Sequence, residues 1–226
     1  MKRNEYERIE QYMLACMKDS AHDKDHVYRV LMGAMIIAGT EAVEDMDVLI
    51  AACLLHDIGR PDQIADPSLC HAQVGAERAY AFLLQQGWSQ EKAERVRHCI
   101  RAHRFRKAEP PQSIEAKILY DADKLDVTGA IGVARTLQYN GALGEPICTT
   151  TPAGGILDGS DPAEPDSFFR EYRYKLEGIY DRFLTRSGAQ LAKERRAAAQ
   201  AFYASLLGEM RRTMDAGNAL LDGSLE

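Results

Sequence analysis

The chain has 226 residues, of which 46% are hydrophobic and 27% are charged. This composition is typical of a globular protein with a substantial core and excludes a disordered or low-complexity chain. Lys and Arg total 28 against 34 Asp and Glu, a formal net charge of −6, so we expect no general attraction to nucleic acid or to an anionic membrane surface.

The cysteines and the N-terminal residues indicate the cellular setting. Five cysteines without a C-x-x-C pair argue against a disulfide framework and against a thiolate zinc site. The first residues are charged and lack the apolar core of a signal peptide, and no apolar run approaches the roughly 20 residues of a membrane span. The sequence therefore predicts a reduced, cytoplasmic setting, with no nucleic-acid or membrane partner.

Helical periodicity runs through the first part of the chain. The apolar positions predict one helix over residues 5–18, a second from a cap at Asp19-Ser20 to Gly39, and a third that begins after Asp45. The third helix contains the run 48–55, which is apolar on nearly all sides and is typical of a buried central helix. It ends in a segment where Gly59 and Pro61 both predict a helix stop.

Three more helices are predicted before residue 140. They cover 69–86, then Ser89 to about 103, and then Ser113 through Leu125, with a continuation or restart to Leu137. Residues 140–166 are rich in Gly, Pro and Thr and predict a loop, which is either a lid over a substrate or a disordered connection. Two amphipathic helices, 167–186 and 189–215, follow on either side of Ser187-Gly188.

The predicted organisation is all-α. Residues 1–140 are expected to form one helical domain, 141–166 a long loop, and 167–226 a helical C-terminal extension packed on the same domain. We find no internal repeat and no β-strand alternation.

Histidine and aspartate residues carry the candidate chemistry. His22 and His26 lie four residues apart and share a helix face, and His56 and Asp57 end the buried helix. Either feature alone is compatible with an ordinary helix surface or end. The stretch 120–126, with three aspartates beside apolar residues, is harder to explain, because buried carboxylates need a counter-charge such as a metal ion.

The ordered series His26, His56-Asp57 and Asp123 resembles the HD superfamily of metal-dependent phosphohydrolases. Residues 22–30, 71–76 and 121–126 are similar to a small bacterial subgroup that includes nucleotide pyrophosphohydrolases, and the C-terminal region is similar to the helical tail of that subgroup. The resemblance covers most of the chain. It implies an HD-domain helical bundle with a helical C-terminal extension.

The resemblance also implies a set of metal ligands, His26, His56, Asp57 and Asp123. Asp123 is preferred over Asp121 because Lys124 and Leu125 follow it, and Asp121 stays as a fallback ligand or a supporting partner. Two imidazoles and two carboxylates suit Mn, Ni, Co, Fe, Zn or Mg, and the ligand types do not choose among these metals.

Further residues are assigned to catalysis and to substrate binding. Asp57, His22 and Lys124 are the catalytic candidates, and a base for the attacking water is sought among His22, His71 and Asp121. Relatives with two metals carry histidines at similar places to His71 and His103, so these two residues are predicted to serve a second metal or to contact phosphate. Lys124 is the first candidate for a phosphate contact. The full set of candidate substrate-binding residues is Arg29, His71, His103, Arg104 and Lys124.

The expected reaction is hydrolysis of a P–O bond in a small phosphorylated substrate, with a nucleotide preferred. The two forms considered are a nucleoside triphosphate pyrophosphohydrolase and a nucleotidase. A phosphodiesterase of the same superfamily is an alternative, although the chain lacks the GYP-type signature of cyclic-dinucleotide phosphodiesterases. A non-catalytic sensor module that binds metal or nucleotide is the rival from another class, and a homodimer is left open.

Overall fold

The computed structural model describes residues 1–17, 24–105 and 109–225. Within these ranges the only β pairing is an isolated antiparallel bridge between Thr150 and Ile156. The predicted all-α class is therefore confirmed. No helix in the described part of the chain is both long enough and apolar enough to cross a membrane.

The α-helices follow the predicted order closely in the first half of the chain. Their bounds are α1 Arg3–Cys16, α2 Lys24–Ala38, α3 Met46–Leu55, α4 Arg60–Ala65, α5 His71–Gln85, α6 Gln90–Ala102, α7 Ile114–Leu125, α8 Gly129–Leu143, α9 Phe168–Glu171 and α10 Arg186–Asp222. A π-helical segment, Tyr172–Leu176, and a 3₁₀ turn, Ile179–Asp181, lie between α9 and α10.

Three helices begin at the polar residues that the sequence indicates. Asp45 accepts hydrogen bonds from the first turn of α3, Ser89 does so for α6, and Ser113 does so for α7. Each side-chain oxygen satisfies a backbone N–H that has no partner within its helix. The predicted cap at Asp19-Ser20 lies outside the described residues.

The segment after the buried helix differs from the prediction. Helix α3 ends at Leu55, in agreement with the predicted stop, but a short helix that the sequence reasoning did not predict, α4, begins at Arg60. Pro61 lies in the first turn of α4, where a missing N–H costs nothing and the fixed φ of proline suits a helix. The proline therefore marks a helix start.

The predicted helices 167–186 and 189–215 are wrong in their boundaries. The first is replaced by α9, the π-helical segment and the 3₁₀ turn, and α10 already begins at Arg186 and passes through Gly188. A Cβ atom on Gly188 would lie 2.4 Å from Oδ2 of Asp121. The glycine therefore serves a close side-chain approach and does not separate two helices.

The chain divides into two compact units. Unit 1 contains Met1–Asp126 and Phe183–Gly188, and unit 2 contains Val127–Arg182 and Ala189–Glu226. In unit 1, α3 contacts α1, α2, α5, α6 and α7. Seven of its residues are buried, which confirms the predicted central helix: Val48, Leu49, Ala51, Ala52, Cys53, Leu54 and Leu55.

Glu115 joins the start of α7 to the start of α3. Its side chain is fully buried, its Oε1 accepts the backbone N–H groups of Glu44 at 3.0 Å and Asp45 at 2.9 Å, and Arg95 lies 3.2 Å away. Burial acts to raise the pKa of Glu115, but these hydrogen bonds and the Arg95 charge outweigh it, so the pKa is lowered. The ionised carboxylate is the form that stabilises this junction.

Unit 2 has its own aromatic core. Phe168, Phe169 and Tyr172 are buried together with α8 and α10 residues, and the Tyr172 and Tyr203 rings stack with centroids 4.3 Å apart. Helix α8 extends to Leu143, so the predicted loop begins at Gly144. The role of this loop as a lid, and the division of the chain at residues 140 and 166, stay predictions.

Candidate metal centre

The candidate ligands come from helices that pack around α3. His56 is the C-terminal cap of α3 and Asp57 follows it, so the apolar helix carries both side chains into the interior, where they are 0% and 1% exposed. His26 lies on α2, and Asp123 lies on α7. Because α2 and α7 both contact α3 and each other, these four side chains converge.

Asp57 lies at the centre of four imidazole rings. Its Oδ2 is 3.7 Å from Nε2 of His26 and 3.7 Å from Nε2 of His56. Its Oδ1 is 3.3 Å from Nε2 of His71 and 3.8 Å from Nε2 of His103. Each carboxylate oxygen therefore faces two histidine nitrogens.

The ligand atoms fall into two groups that could each hold a metal ion. His26, His56 and Asp123 form one group, and Asp57, His71 and His103 form the other, with the ligand atoms of each group within 4.8 Å of one another. In the first group, Nε2 of His26 is 3.4 Å from Oδ1 of Asp123 and 3.4 Å from Nε2 of His56. The structure thus brings together all four predicted ligands and both additional histidines.

Backbone carbonyls fix the tautomers of two of these histidines. Nδ1 of His56 lies 2.8 Å from the carbonyl oxygen of Cys53, and Nδ1 of His103 lies 2.6 Å from that of Ile100. A carbonyl oxygen can only accept a hydrogen bond, so in each ring Nδ1 carries the hydrogen and donates the hydrogen bond. The neutral ring then has a lone pair on Nε2, the nitrogen that faces Asp57, and this is the form that binds a metal.

The other two histidines have side-chain partners at Nδ1. Nδ1 of His26 lies 2.7 Å from Oδ2 of Asp126, and Nδ1 of His71 bonds the amide oxygen of Gln63. Nε2 of His71 is buried and has no hydrogen-bond partner among the described residues. An orphaned buried nitrogen with its lone pair toward a carboxylate fits a site that is completed by a cation.

The charge states of the cluster agree with this arrangement. Burial, reinforced by nearby positive charge, lowers the pKa of His71 to about 2 and that of His103 to about 4, so both are neutral at pH 7. Burial acts to raise the pKa values of Asp57 and Asp123, but neighbouring histidines and cations outweigh it and lower both. Neutral imidazoles and ionised carboxylates are the protonation states of metal ligands.

Close backbone contact positions His71. A Cβ atom on Gly59 would lie 2.3 Å from the carbonyl oxygen of His71 and 2.7 Å from the amide nitrogen of Gly75. The turn after Asp57 and the first turn of α5 therefore touch, which only glycine at position 59 permits. This contact brings His71, the first residue of α5, beside Asp57. Sequence reasoning missed both Gly59 in this role and the supporting residue Gln63.

Asp126 is a further residue whose role sequence reasoning missed. Oδ2 of Asp126 lies 2.7 Å from Nδ1 of His26. The same carboxylate accepts hydrogen bonds from Arg29, from Nε to Oδ1 at 2.7 Å and from Nη2 to Oδ2 at 3.1 Å. Arg29 was predicted to bind substrate, whereas the structure places its guanidinium group on Asp126. The signal for this pairing was present, since Arg29 follows His26 by three residues and Asp126 follows Asp123 by three, one helical turn in each case.

The structure does not bring Asp121 into the cluster. Its Oδ1 accepts the backbone N–H of Leu184 at 2.8 Å, and its Oδ2 accepts both the N–H and the hydroxyl of Thr185, at 2.7 and 2.6 Å. Burial raises the pKa of Asp121 against these stabilising hydrogen bonds. Asp121 therefore anchors the segment before α10, and Asp123, two residues along α7, faces the histidines.

One cation contacts the cluster directly, and two further cations and one aromatic ring are close to its residues in sequence. Nε of Arg60 lies 3.0 Å from Oδ1 of Asp57, Nη1 of Arg104 lies 4.0 Å from Sγ of Cys70, and Nζ of Lys124 lies 5.1 Å from the centroid of the Tyr120 ring. Phe105, two residues beyond His103, has a positive φ of 44° and is 42% exposed, and its ring meets that of Tyr120 edge to face. His22, the remaining predicted catalytic residue, lies outside the described residues.

Comparison with known proteins supports the resemblance. Residues 24–128 match the model of the HD domain. YpgQ of Bacillus subtilis (strain 168) is 30% identical over 198 residues, which covers 84% of this chain and 85% of YpgQ.

Solved structures give the same result. The structure of Bacillus subtilis YpgQ in complex with ADP has a TM-score of 0.69 and 28% identity, over 90% of this chain and 97% of that one. A predicted HD superfamily hydrolase from an uncultured Thermotogales bacterium has a TM-score of 0.61 and 28% identity, over 92% of each chain. An HD-superfamily hydrolase from Bacillus thuringiensis has a TM-score of 0.69 and 26% identity, over 92% of this chain and 98% of that one. The fold, the buried histidine–aspartate cluster and these relatives together establish that the chain belongs to the HD-domain superfamily.

Proposed function

We propose that this chain is a metal-dependent phosphohydrolase that acts on a nucleotide. The observation that carries the proposal is the convergence of four buried imidazole rings, the buried carboxylate of Asp57 and the partly exposed carboxylate of Asp123 in one cluster. Nitrogen lone pairs and carboxylates that face one another repel unless a cation lies between them. His26, His56, Asp57 and Asp123 are the ligands that we assign to the first divalent ion.

We assign His71 and His103 to a second metal ion, with Asp57 as the shared ligand. The alternative, a direct contact with substrate phosphate, needs an N–H on Nε2 to donate to a phosphate oxygen. Nδ1 of His103 already donates to a carbonyl, and Nδ1 of His71 bonds an amide oxygen, so neither neutral ring has a proton on Nε2. Lone pairs on Nε2 suit a metal and not a phosphate.

The proposed reaction, hydrolysis of a P–O bond, assigns a role to each group around the cluster. When bound, divalent ions in such a site offset the charge of phosphoryl oxygens and lower the pKa of water. Asp57 has one oxygen toward each metal group, so its role is to hold the two groups together. Lys124, beside Asp123, and Arg104, beside His103, are the cations that we assign to the substrate phosphates.

A nucleotide is the substrate class that the relatives and the surroundings of the cluster favour. YpgQ, a relative over most of this chain, has been crystallised with ADP. Phe105 offers an exposed aromatic face close in sequence to His103 and Arg104, and stacking on such a face stabilises a nucleobase by about 1–3 kcal/mol. We therefore prefer a nucleoside triphosphate pyrophosphohydrolase or a nucleotidase over a phosphodiesterase.

The test is a phosphate-release assay on nucleoside mono-, di- and triphosphates with Mn, Ni, Co, Fe, Zn or Mg, with and without added pyrophosphatase. We compare wild type with Asp57→Asn, and with Asp62→Asn as a matched control that breaks the Arg78–Asp62 pair instead. Metal-dependent release that Asp57→Asn abolishes supports the proposal. Release from triphosphates only with pyrophosphatase identifies diphosphate as the product, whereas release from monophosphates identifies a nucleotidase.

Two results would point elsewhere. Hydrolysis of bis-(p-nitrophenyl) phosphate without hydrolysis of nucleotides would favour the phosphodiesterase alternative. Binding of Mn and ADP by isothermal titration calorimetry, with no turnover of any nucleotide under any metal, would favour a sensor module. Metal stoichiometry by inductively coupled plasma mass spectrometry separates one ion from two, and His71→Gln is expected to remove the second ion and leave the first.

A further inference from the structure

We propose that Arg29 and Asp126 form a charged pair that positions the imidazole of His26, so that its Nε2 lone pair faces the metal group. The inference rests on the proposed function in that it assigns His26 to a metal. The hydrogen bonds between His26, Asp126 and Arg29 are nevertheless measurable in the metal-free protein. Both residues act through His26 and are positioning residues.

The contacts use both oxygens of the Asp126 carboxylate. Oδ2 is 2.7 Å from Nδ1 of His26, and Arg29 donates from Nε to Oδ1 at 2.7 Å and from Nη2 to Oδ2 at 3.1 Å. His26 and Asp126 side chains are 4% and 3% exposed, whereas that of Arg29 is 34% exposed. A guanidinium group that binds both oxygens holds the carboxylate plane in one orientation, which points Oδ2 at the ring.

The two helices supply this arrangement symmetrically. Helix α2 carries His26 and, one turn later, Arg29. Helix α7 carries Asp123, and Asp126 caps its C-terminus one turn later. Each helix thus contributes one candidate ligand and one member of the charged pair, and the charged pair fixes the register between the two ligands.

The consequence for His26 is a single tautomer. An ionised carboxylate has no proton to donate, so Nδ1 of His26 must carry the hydrogen and Nε2 must carry the lone pair. His56 and His103 obtain the same result from backbone carbonyls, which no substitution of a side chain removes. Among the histidines whose Nδ1 partner the structure describes, His26 is the one that depends on a charged side chain.

Asp126→Asn is the informative variant because an amide cannot satisfy both partners. If the amide oxygen faces His26, its NH₂ group opposes the Nε–H of Arg29. If the NH₂ group faces His26, it donates to Nδ1 and moves the ring proton to Nε2. Arg29→Met in the same chain removes the competing donor, so the amide oxygen can return to His26 and restore the tautomer in part.

The experiment measures the tautomer and the metal affinity separately. Long-range ¹H–¹⁵N spectra of metal-free protein labelled with ¹⁵N-histidine report which ring nitrogen carries the proton, with His26 assigned from the spectrum of His26→Gln. Titration with Mn²⁺ alone, followed by calorimetry, gives the dissociation constant. Asp158→Asn, which breaks the Arg211–Asp158 pair of unit 2, is the control for loss of an arginine–aspartate pair.

We expect wild-type His26 to be protonated at Nδ1, and Asp126→Asn to shift the proton toward Nε2 and weaken Mn²⁺ binding at least tenfold, within the range of about 10–100-fold seen for such supporting residues. The Arg29→Met/Asp126→Asn double variant should recover part of the affinity, and Asp158→Asn should leave both readouts unchanged. A wild-type His26 protonated at Nε2, or Asp126→Asn with unchanged tautomer and affinity, overturns the inference.

The outcomes distinguish this inference from the proposed function. If wild type binds Mn²⁺ but hydrolyses no phosphorylated compound, the proposed function fails while the tautomer and affinity results still decide the positioning role. If Asp126→Asn does not fold, the wild-type spectrum and Arg29→Met decide it. Arg29→Met should then keep the Nδ1 proton but weaken Mn²⁺ binding severalfold, and an unchanged affinity would remove Arg29 from the charged pair.

Discussion

Gly59→Ala tests how closely the turn after Asp57 must approach α5. The new methyl carbon would lie 2.3 Å from the carbonyl oxygen of His71 and 2.7 Å from the amide nitrogen of Gly75, separations that are too short for any non-bonded pair. Both obstacles are backbone atoms, so no side chain can rotate away. Overpacking typically costs about 1–3 kcal/mol, and we expect the upper end, about 3 kcal/mol.

Urea denaturation followed by circular dichroism measures this cost. With a slope of about 2 kcal/mol per molar urea, the midpoint should fall by about 1.5 M. Gly33→Ala is the matched control in the same unit, because its new Cβ would lie 3.8 Å from Cβ of Ala122, an ordinary contact. That variant, inside α2, should raise stability by about 0.5–1 kcal/mol.

The same substitution has a consequence for metal binding. A shift of α5 by several tenths of an ångström would move His71 away from Asp57, which is now 3.3 Å from it, and leave the group of His26, His56 and Asp123 in place. On the proposed two-metal assignment, bound Mn²⁺ should therefore fall from two ions toward one. A Gly59→Ala protein with the wild-type urea midpoint and two ions would refute the close contact and the role that we derive from it.

Three further predictions concern other parts of the chain. Because the folded pKa of Glu115 is lowered, its stabilising effect is present above its unfolded pKa, about 4.3, and is lost as pH falls through the folded value. In Glu115→Gln the free energy of unfolding should therefore fall less steeply than in wild type as the pH is lowered below about 5. Urea denaturation across this pH range measures it, and the same pH dependence in both proteins would contradict the prediction. Thr185→Val removes a hydroxyl donor from Asp121 and should cost about 1–3 kcal/mol in urea with unchanged Mn²⁺ affinity; a changed affinity would place Asp121 at the metals. Phe105→Ala should raise the KM or dissociation constant for ADP about tenfold and leave that for inorganic diphosphate unchanged, whereas Tyr139→Ala, which removes another exposed ring, should change neither.

The family resemblance predicted the set of candidate ligands, and the apolar run 48–55 predicted the buried helix that two of them follow. His56-Asp57 follows a helix too apolar to lie at a surface, and burial of that helix forces its last polar residues inward. The other candidates lie on helices that must cover its sides. The set of four ligands followed from the family resemblance, because His56-Asp57 alone was also compatible with an ordinary helix end, and the assignment of each residue to a metal stays a proposal.

Helical spacing places Asp126 one turn after Asp123, but it does not identify the hydrogen bonds that the supporting residues make. Asp126 and Gln63 act through hydrogen bonds to side chains 100 and 8 residues away, and a pattern of residue types carries no information on which nitrogen of a ring faces which partner. Arg29 was predicted to bind substrate because an arginine close in sequence to a candidate metal ligand suits a contact with phosphate. The carboxylate that it binds lies on another helix.

The predicted helix boundaries on either side of Gly188 were wrong for a related reason. Glycine has two uses in a helix, as a terminator and as a point of close approach, and local sequence does not separate them. Here the deciding partner is Asp121, more than sixty residues earlier in the chain.

The segment Phe183–Gly188 makes unit 1 discontinuous along the chain. The residues before and after this segment belong to unit 2. The backbone N–H groups of Leu184 and Thr185, within the segment, nevertheless donate to the buried carboxylate of Asp121 in unit 1. A chain cut after Asp126 would keep every candidate ligand but lose the donors that hold the Asp121 carboxylate of α7. Unit 1 is therefore not separable from the rest of the chain by one cut after Asp126. Synthesis must reach residue 188 before Asp121 on α7 has these partners, so unit 1 is completed only after residues Val127–Arg182 of unit 2 have been made.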